Sequence, residues 1–288
     1  MRQSIKLLLI AWIILVGNAP ARATETTDIN TILMRSTFKI EGPASPGRTS
    51  VGTVFIVGRP VPGDTQRLFL VLVTAAHVLR GINGEQATLF LRKKQGDEFA
   101  KLPYQLQIRN GTSPLWKEHP RADVAAMYVR LPQEADVQPL PTSLLASDQE
   151  LDKREIHPGD VLSCLGYPYG AEANEAGFPI LRSGQIASYP LTPTSKIPTF
   201  LMDFRVLGGN SGGPVYFVAS NRTYGGSTML GETIHFLAGL VSGERVITKE
   251  INSPGETLVA TYSLSLAVVV HAALIRETME LLPLHPEQ

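Results

Sequence analysis

Short runs of apolar and β-branched residues, separated by clusters of glycine, proline and asparagine, recur along most of the chain. Runs of this length between turn-forming residues predict β-strands. Residues 32–40 fit a first strand, or a short helix followed by one. The further predicted strands are residues 50–57, 68–73, 87–92, 104–109, a run that starts at Asp123, and 160–166, 180–186, 199–206, 215–219 and 234–242. Many short strands with few helical patterns indicate an all-β barrel architecture.

Two stretches lack the strand pattern. Residues 132–158 are polar and rich in charge and proline, which predicts a linker. Near the end, Leu264, Val268, Ile275 and Met279 fall near helical spacing, and Pro283 follows as a stop signal. We therefore expect a C-terminal helix, with His271 as a core or rim residue.

Composition narrows the class of protein. The 288 residues are 43% hydrophobic and carry 26 basic and 26 acidic side chains, which is typical of an ordinary globular core. A net charge of zero gives no bulk electrostatic attraction to nucleic acid. Cys164 is the single cysteine, so an intramolecular disulfide is excluded, and we expect a buried core residue there.

The first residues have the pattern of an export signal. Arg2 and Lys6 precede an apolar run at 7–17, and Ala21-Arg-Ala23 fits a signal-peptidase site. We expect a signal peptide over residues 1–23 and a mature chain beginning at Thr24, with an uncleaved signal anchor as the alternative. No later run of apolar residues is long enough to cross a membrane. The protein is therefore not expected to bind a membrane after removal of the signal peptide.

The segment 206–215 is the strongest candidate for chemistry. Ser211 lies there among four glycines, which allow a sharp turn and a close approach of substrate to the backbone. A serine needs a base to become a nucleophile. His77 follows an apolar strand, and Asp123 begins another, which gives the order His, Asp, Ser.

Three motifs carry a family resemblance: Thr-Ala-Ala-His at 74–77, Asp-Val-Ala at 123–125 and Gly-Asn-Ser-Gly-Gly-Pro at 209–214. Together they resemble the signatures of trypsin-like (chymotrypsin-fold) serine peptidases. Asn210 and the segment 159–170 are most similar to the bacterial HtrA/Deg-like protease domains, here without a PDZ domain. The resemblance implies two six-stranded antiparallel β-barrels and a C-terminal helix. Residues 24–140 would form the first barrel, with His77 and Asp123, and residues 141–288 the second barrel with Ser211 and the helix, together one peptidase domain.

The resemblance also implies roles for particular residues. His77, Asp123 and Ser211 would form the catalytic triad of a serine endopeptidase, and the N–H groups of Gly209 and Ser211 the oxyanion hole. Val241, Ser242 and Gly243 would bind substrate, and no metal or other cofactor would be required. Arg205, six residues before the serine, would lie near the specificity pocket. We expect its side chain to point outward as an ordinary surface residue. The pocket is then expected to prefer a small or medium apolar substrate side chain.

The implied partners are protein or peptide substrates, with no nucleic acid, and the implied state is a monomer, exported to the periplasm or secreted by a bacterium. Asn210 replaces the aspartate that pairs with a new N-terminus in digestive relatives, so activation by that route is not expected.

Two other functions remain open at this point. Residues 209–213 also satisfy G-x-S-x-G, the nucleophile elbow of an α/β-hydrolase esterase, which would need Glu232 with His235 or His271 as its partners. The chain could also be a catalytically weak or dead binding module that keeps the same fold.

Overall fold

The computed structural model describes residues 28–253 and 256–286, so the predicted signal peptide lies outside the described residues. The helices are α1 (Ile29–Ser36), α2 (Ala76–Arg80), α3 (Asp148–Lys153) and α4 (Ala272–Glu280). Single 3-10 turns lie at Thr142–Leu144 and Pro168–Gly170. The strands are β1 (Thr37–Pro43), β2 (Thr49–Val61), β3 (Asp64–Thr74), β4 (Gln86–Gln95), β5 (Glu98–Gln107), β6 (Arg109–Asn110), β7 (Ser113–Pro114), β8 (Lys117–Glu118), β9 (Ala125–Tyr128), β10 (Leu140–Pro141), β11 (Val161–Gly166), β12 (Ile180–Ile186), β13 (Thr199–Asp203), β14 (Pro214–Ser220), β15 (Thr223–Tyr224), β16 (Ser227–Thr228), β17 (Thr233–Ser253) and β18 (Glu256–His271).

The larger sheets divide the chain into an N-terminal and a C-terminal half. The first sheet has eight strands in the order β5-β4-β1-β2-β3-β9-β8, with β10 joined to β2. The second is a closed six-stranded antiparallel barrel in the order β11-β12-β13-β18-β17-β14. The all-β prediction and the six-stranded barrel are confirmed. The first sheet has eight strands. Six of them, β1 to β5 and β9, correspond to predicted strands, and the short strands β8 and β10 are additional.

The core lies where apolar runs are continuous. Residues 54–57 of β2 and 71–73 of β3 are fully buried, as their lack of apolar–polar alternation predicts. In the barrel, Val215 and Tyr216 of β14 are equally buried. Removing this much apolar surface from water is the main force that holds strands in place.

The predicted linker contains regular structure. Leu140 of β10 pairs in parallel with Val57 of β2, and α3 begins at a Ser147 cap whose side chain accepts a hydrogen bond from the N–H of Glu150. Two residues of strand are too few to produce a periodic pattern, so β10 is not visible in the sequence.

The predicted C-terminal helix begins later than its spacing indicates. Residues 264–271 belong to β18, because Val268, Val269 and Val270 pair with residues 199–201 of β13, and α4 starts only at Ala272. The helix contacts β17 of the barrel and also β9 of the first sheet. It therefore joins the two halves instead of closing the barrel alone. Strand β17 is likewise much longer than the predicted strand 234–242.

Cys164 lies buried on β11, as expected. Burial raises the pKa of its thiol to about 12, so the side chain is a small core residue and not a nucleophile. Within residues 28–253 and 256–286, no helix is long and apolar enough to cross a membrane.

Candidate active site

His77 and Asp123 contact each other through two hydrogen bonds. The Nδ1 atom of His77 lies 2.6 Å from Oδ2 of Asp123, and the His77 backbone N–H donates to Oδ1 at 2.9 Å. His77 is in the first turn of α2, directly after β3, and Asp123 directly precedes the segment that leads into β9. Since β3 and β9 are paired, the sheet itself brings these two residues together.

The carboxyl group of Asp123 is held in its charged form. Burial alone would raise its pKa, but the hydrogen bonds from His77 and the positive charge of Arg80 outweigh that effect and lower it below its ordinary value. An ionised carboxylate only accepts hydrogen bonds, so the proton in the 2.6 Å contact belongs to Nδ1 of His77. The other ring nitrogen, Nε2, is then free to accept a proton.

Ser211 lies in the loop 207–213, which we call the serine loop. Asn210 shapes this loop: its backbone N–H donates to the carbonyl of Leu207, and its side-chain oxygen accepts from the N–H of Leu207. Asn210 is only 1% exposed. A neutral amide thus closes the turn through local hydrogen bonds, with no ion pair to a chain terminus.

The serine loop is bonded to both halves of the molecule. Thr53 of β2 donates from its backbone to the carbonyl of Ser211 at 2.9 Å and from its hydroxyl to the carbonyl of Gly209 at 2.7 Å. Thr74, three residues before His77, donates to the carbonyl of Thr53 at 2.7 Å. On the other side, the N–H of Gly212 donates to the carbonyl of Val241 on β17. The loop therefore spans the junction between the sheet that carries His77 and the barrel.

Two positions of the serine loop need glycine. Gly209 has a φ of +93°, and a Cβ there would overlap the carbonyl oxygen of Tyr167. Gly212 has a φ of +85°, and a Cβ there would overlap the carbonyl of Thr53 and the hydroxyl of Thr74. The glycines that make the motif recognisable in sequence are thus required by the close approach of neighbouring strands.

Within the described residues, the backbone N–H groups of Gly209 and Ser211 donate no hydrogen bond, which leaves both for a ligand. Among the described residues, the Ser211 hydroxyl forms no hydrogen bond with the ring of His77. In enzymes without bound substrate this contact is often long and tightens only in the complex.

The three residues expected to bind substrate lie side by side on β17. Val241 is buried, and its N–H and carbonyl are both bonded to the serine loop. Ser242 and Gly243, which follow, are partly exposed. Arg205 is exposed beyond the end of β13, which agrees with the outward reading of its side chain.

Thr53 and Thr74 are the residues of this site that sequence reasoning missed as functional. Thr74 is part of the Thr-Ala-Ala-His motif, but nothing in the pattern says that its hydroxyl faces Thr53. Both side chains are buried polar groups directly beside the apolar runs 54–57 and 71–73. Such an isolated threonine in a buried strand was the available signal, because a buried hydroxyl must find a partner.

The esterase alternative is not supported by the local structure. A nucleophile elbow requires a helix directly after the serine, whereas Ser211 leads into strand β14. His271 is buried at the end of β18, with its Nε2 lacking a hydrogen-bond partner. Among the described residues, no cluster of three or more His, Cys, Asp or Glu side chains is placed to hold a metal ion.

A family comparison shows that the class of protein is a serine-type peptidase. The model described as "Trypsin-like peptidase domain" matches residues 52–225, more than half of the 288 residues and a range that includes His77, Asp123 and Ser211. The chain belongs to this family of trypsin-like peptidases and is a hydrolase.

A search of curated protein sequences finds no match. Among solved structures, the chain is similar to the active form of the Rv3671c protease from M. tuberculosis, with 18% identity, coverage of 96% of this chain and 93% of that one, and a TM-score of 0.46. It is also similar to the thermostable serine protease AL20 from an extremophilic microorganism (12% identity, 85% and 95% covered, TM-score 0.44). A third similar structure is the protease Anisep from Arthrobacter nicotinovorans, with 13% identity, coverage of 86% of this chain and 94% of that one, and a TM-score of 0.45.

Proposed function

We propose that the protein is a serine endopeptidase that cleaves protein substrates through a triad of Ser211, His77 and Asp123. Ser211 Oγ attacks the scissile carbonyl while Nε2 of His77 takes its proton, which gives a tetrahedral oxyanion. That intermediate collapses to an acyl-enzyme as His77 returns the proton to the leaving amine. Water then attacks the ester by the same route and frees Ser211. Asp123 fixes the tautomer of His77 and stabilises its charged form.

The observation that carries this proposal is the two-point contact between His77 and Asp123. It holds the ring with Nδ1 as the donor at 2.6 Å, which is the state a general base needs. The serine loop adds support, because its hydrogen bonds to Thr53 fix it against the sheet that supplies the histidine.

The oxyanion hole in this proposal consists of the N–H groups of Gly209 and Ser211. Backbone donors aimed at a developing negative charge act without reorganisation, and the loss of one such donor typically costs a factor of about 100 to 1,000 in kcat. The hydrogen bond from Thr53 to the Gly209 carbonyl supports this assignment, since it fixes the orientation of that residue.

Substrate would bind along the segment from Val241 to Gly243. Since the backbone groups of Val241 are engaged by the serine loop, Ser242 and Gly243 supply the free edge. The catalytic groups are shared between residues 24–140 and 141–288, so we infer that these halves act together as one peptidase domain without a cofactor.

We further propose that the protein is exported and acts as a monomer in the periplasm or outside a bacterial cell, after removal of residues 1–23. The charged start, apolar run and small-residue site support this assignment. N-terminal sequencing of the protein recovered from the periplasm or medium should give Thr24 as the first residue, and a retained Met1 would contradict it. Light scattering in solution should give the monomer mass.

Covalent labelling tests the mechanism. The exported protein is treated with a fluorophosphonate probe, and the modified residue is mapped by peptide mass spectrometry. Label on Ser211 that is lost in Ser211→Ala and His77→Ala is expected. Matched controls are Ser227→Ala, on the exposed strand β16, and His285→Gln, which lies against Phe69; both should label as wild type does.

A peptide library then separates the remaining possibilities. Cleavage of amide bonds supports a peptidase, while turnover of esters alone would contradict it. A folded wild-type protein that takes no label would mean a dead binding module, and the mechanism proposed above would be rejected.

A further inference from the structure

Asp123 lies in the turn of a short hairpin formed by β8 and β9. Strand β8 pairs with the start of β9, and we call the residues between the two strands, 119–124, the aspartate turn. The N–H of His119 donates to the carbonyl of Val124 at 3.0 Å and continues the hairpin by one pair. The N–H of Val124 donates to the carbonyl of Ala122 at 2.9 Å, so Asp123 is the central residue of a three-residue turn. The direction of the Asp123 carboxylate therefore depends on how this turn is held.

The ring of His119 uses both of its nitrogen atoms within the protein. Nδ1 accepts a hydrogen bond of 3.2 Å from the backbone N–H of Arg121, and Nε2 lies 3.0 Å from Oε2 of Glu277. Because Nδ1 is an acceptor, the neutral ring carries its proton on Nε2 and donates it to the Glu277 carboxylate. The side chain of His119 is only 3% exposed, whereas that of Glu277 is 47% exposed. An enclosed ring that is bonded at both nitrogens is held in one orientation.

The aspartate turn is bonded to the C-terminal half of the molecule at two places. Glu277 belongs to α4, the helix that contacts β8 and β9. The guanidinium of Arg121 donates to the carbonyl of Ser195 at 2.7 Å, in the loop between β12 and β13. The side chain of Arg121 is exposed, whereas the ring of His119 is enclosed. The turn that carries Asp123 is therefore held from outside its own sheet, and most firmly through His119.

We propose that His119 is a positioning residue for Asp123, and that it acts through the hydrogen bond that Nδ1 accepts from Arg121. The proposal deepens the endopeptidase function above and rests on it. Glu277 fixes the tautomer that leaves Nδ1 free to accept. Asp123 contacts His77 through both carboxylate oxygens, at 2.6 Å and 2.9 Å. A displaced turn would lengthen one of these bonds and release the ring of His77 from its tautomer, which lowers kcat and leaves substrate binding unchanged.

His119 itself takes no proton from the substrate or from Ser211. Its ring is enclosed, and its two nitrogen atoms are engaged by Arg121 and Glu277, so neither is open to a substrate. Its contribution is confined to the geometry of the aspartate turn. The residues that exchange protons in the proposed reaction remain His77 and Ser211.

Two replacements of His119 separate its two hydrogen bonds. In His119→Asn, the side-chain oxygen lies near the former position of Nδ1 and can still accept from Arg121, but the side chain is too short to reach Glu277. In His119→Gln, the amide lies near the former position of Nε2 and can still donate to Glu277, but the N–H of Arg121 loses its acceptor. We expect His119→Gln to lower kcat about tenfold at unchanged KM, and His119→Asn to lower it less than about threefold.

Urea denaturation of the same variants distinguishes positioning from general stabilisation. Asparagine is smaller than the imidazole and leaves a cavity, so His119→Asn should be less stable than His119→Gln. A positioning role therefore predicts opposite orders, in which the more stable variant has the lower kcat. If kcat instead follows the unfolding free energy, or if neither variant changes kcat, the proposal is overturned.

The contact with α4 is tested by Glu277→Ala, with Glu280→Ala as the matched control at an exposed position of the same helix. Glu277→Ala keeps the bond from Arg121 and should resemble His119→Asn, with kcat lowered less than about threefold. Glu280→Ala should keep the wild-type rate. A loss in Glu277→Ala as large as that in His119→Gln would mean that the helix contact, and not the bond from Arg121, positions Asp123, and would overturn the assignment.

A spectroscopic measurement of the same contact does not depend on turnover. The proton shared between Nδ1 of His77 and Asp123 should give a downfield ¹H NMR resonance, which can be recorded in the inactive Ser211→Ala background. It should keep its position when His119→Asn is added, and should move upfield or broaden when His119→Gln is added, because the hydrogen bond lengthens. An unchanged resonance with His119→Gln would contradict the positioning role.

Labelling separates this proposal from the endopeptidase function. Reaction of the wild type with the fluorophosphonate at Ser211 reports on the proposed function alone. Label together with equal kcat in all His119 variants would reject the positioning role and keep the peptidase. Absence of label together with a resonance that still shifts in His119→Gln would reject the catalytic mechanism and keep His119 as the residue that positions Asp123.

Discussion

Thr53 donates a hydrogen bond of 2.7 Å to the carbonyl oxygen of Gly209, across 156 positions of the chain. Thr53 belongs to the central strand β2 of the first sheet, and Gly209 to the serine loop before the barrel strand β14. Neither half of the molecule can therefore orient the proposed oxyanion hole alone. This contact makes the geometry of the serine loop depend on the docking of the two sheets.

Replacing Thr53 by valine should lower kcat roughly tenfold and leave KM unchanged. Valine keeps the shape of the side chain but leaves the Gly209 carbonyl without its donor, at a cost of about 1–2 kcal/mol in unfolding free energy. Steady-state kinetics and urea denaturation measure the two effects. Thr53→Ser keeps the hydroxyl and should restore most of kcat. If valine retains the full rate, the contact has no role in positioning.

Asp123→Asn should reduce kcat by about four orders of magnitude with a small change in KM, because an amide allows His77 to adopt the wrong tautomer. Stopped-flow or long-time-course assays with a peptide substrate measure the residual rate. Glu118→Gln is a nearby control, since the Glu118 carboxylate bonds to Arg80 and Trp116 and not to His77. A loss of less than tenfold in Asp123→Asn would contradict the proposed triad.

The lowered pKa of Asp123 also predicts how stability depends on pH. Its folded pKa lies below the ordinary 3.8, so the ionised group stabilises the fold above that pH, and this contribution disappears as the pH falls through the folded value. The free energy of unfolding of the wild type should therefore fall more steeply below about pH 4 than that of Asp123→Asn. Urea denaturation across pH 2–5 compares the two; parallel curves would exclude the effect.

His271 should make the protein less stable in mild acid. Burial lowers the pKa of its imidazole from 6.5 to about 4, a shift that the charge of Asp148 only partly opposes. The unfolded chain then binds the proton first, so stability is complete above pH 6.5 and falls as the pH drops toward 4. The expected loss is roughly 3 kcal/mol.

The variant His271→Leu tests this expectation. It removes the titrating group and the unpartnered Nε2 atom while keeping an apolar side chain beside Phe200. Its unfolding free energy should change little between pH 7 and pH 4.5, whereas that of the wild type should decrease. His157→Leu, at an exposed site, serves as the control and should keep the wild-type profile. A wild type whose stability is flat over this range would refute the prediction.

Arg92 is expected to be one of the most costly residues to replace. Its guanidinium is fully buried between the rings of Phe38 and Phe178, each 4.3 Å away, and it donates to the carbonyls of Met34, Thr37 and Gly177. Arg92→Met removes the donors of the guanidinium from these carbonyls, of which Thr37 and Gly177 still accept from the Tyr167 hydroxyl, and should lower the unfolding free energy by about 3 kcal/mol.

Arg92→Lys should not restore this stability, because an ammonium lacks the flat surface and the fork of donors that the site uses. The control is Lys94→Met, at the exposed end of β4, which should change stability by less than about 0.5 kcal/mol. If Arg92→Met costs less than 1 kcal/mol in urea denaturation, the buried guanidinium is not needed for the fold.

The serine loop could be predicted from sequence because its requirements are local. Gly209 and Gly212 need positive φ and closely approach other backbone atoms, and only glycine meets both demands. His77 is similarly marked, since it directly follows a buried strand. The partner Thr53 could not be predicted, because its hydrogen bonds to the loop depend on how two distant sheets meet.

The extension of β17 and β18 beyond the barrel was missed for a different physical reason. Strand prediction relies on one buried face, and the side chains at 245–250 and 261–265 are exposed on both faces of these two strands. The sequence around Val268 also fits two periods, since an unbroken apolar run satisfies helix and strand alike. Three successive valines at 268–270 favour a strand because their branched side chains restrict χ1 in a helix. The pairing with β13 decides between the two.

Cys164 makes the folding of this protein independent of its redox surroundings. The chain holds one cysteine, and its thiol is buried with a pKa raised to about 12, so it forms neither a structural crosslink nor a reactive thiolate. No intramolecular disulfide has to form or rearrange before the native state is reached. The native state therefore contains no intramolecular disulfide that a reducing compartment could break, and its only sulfhydryl is shielded from solvent.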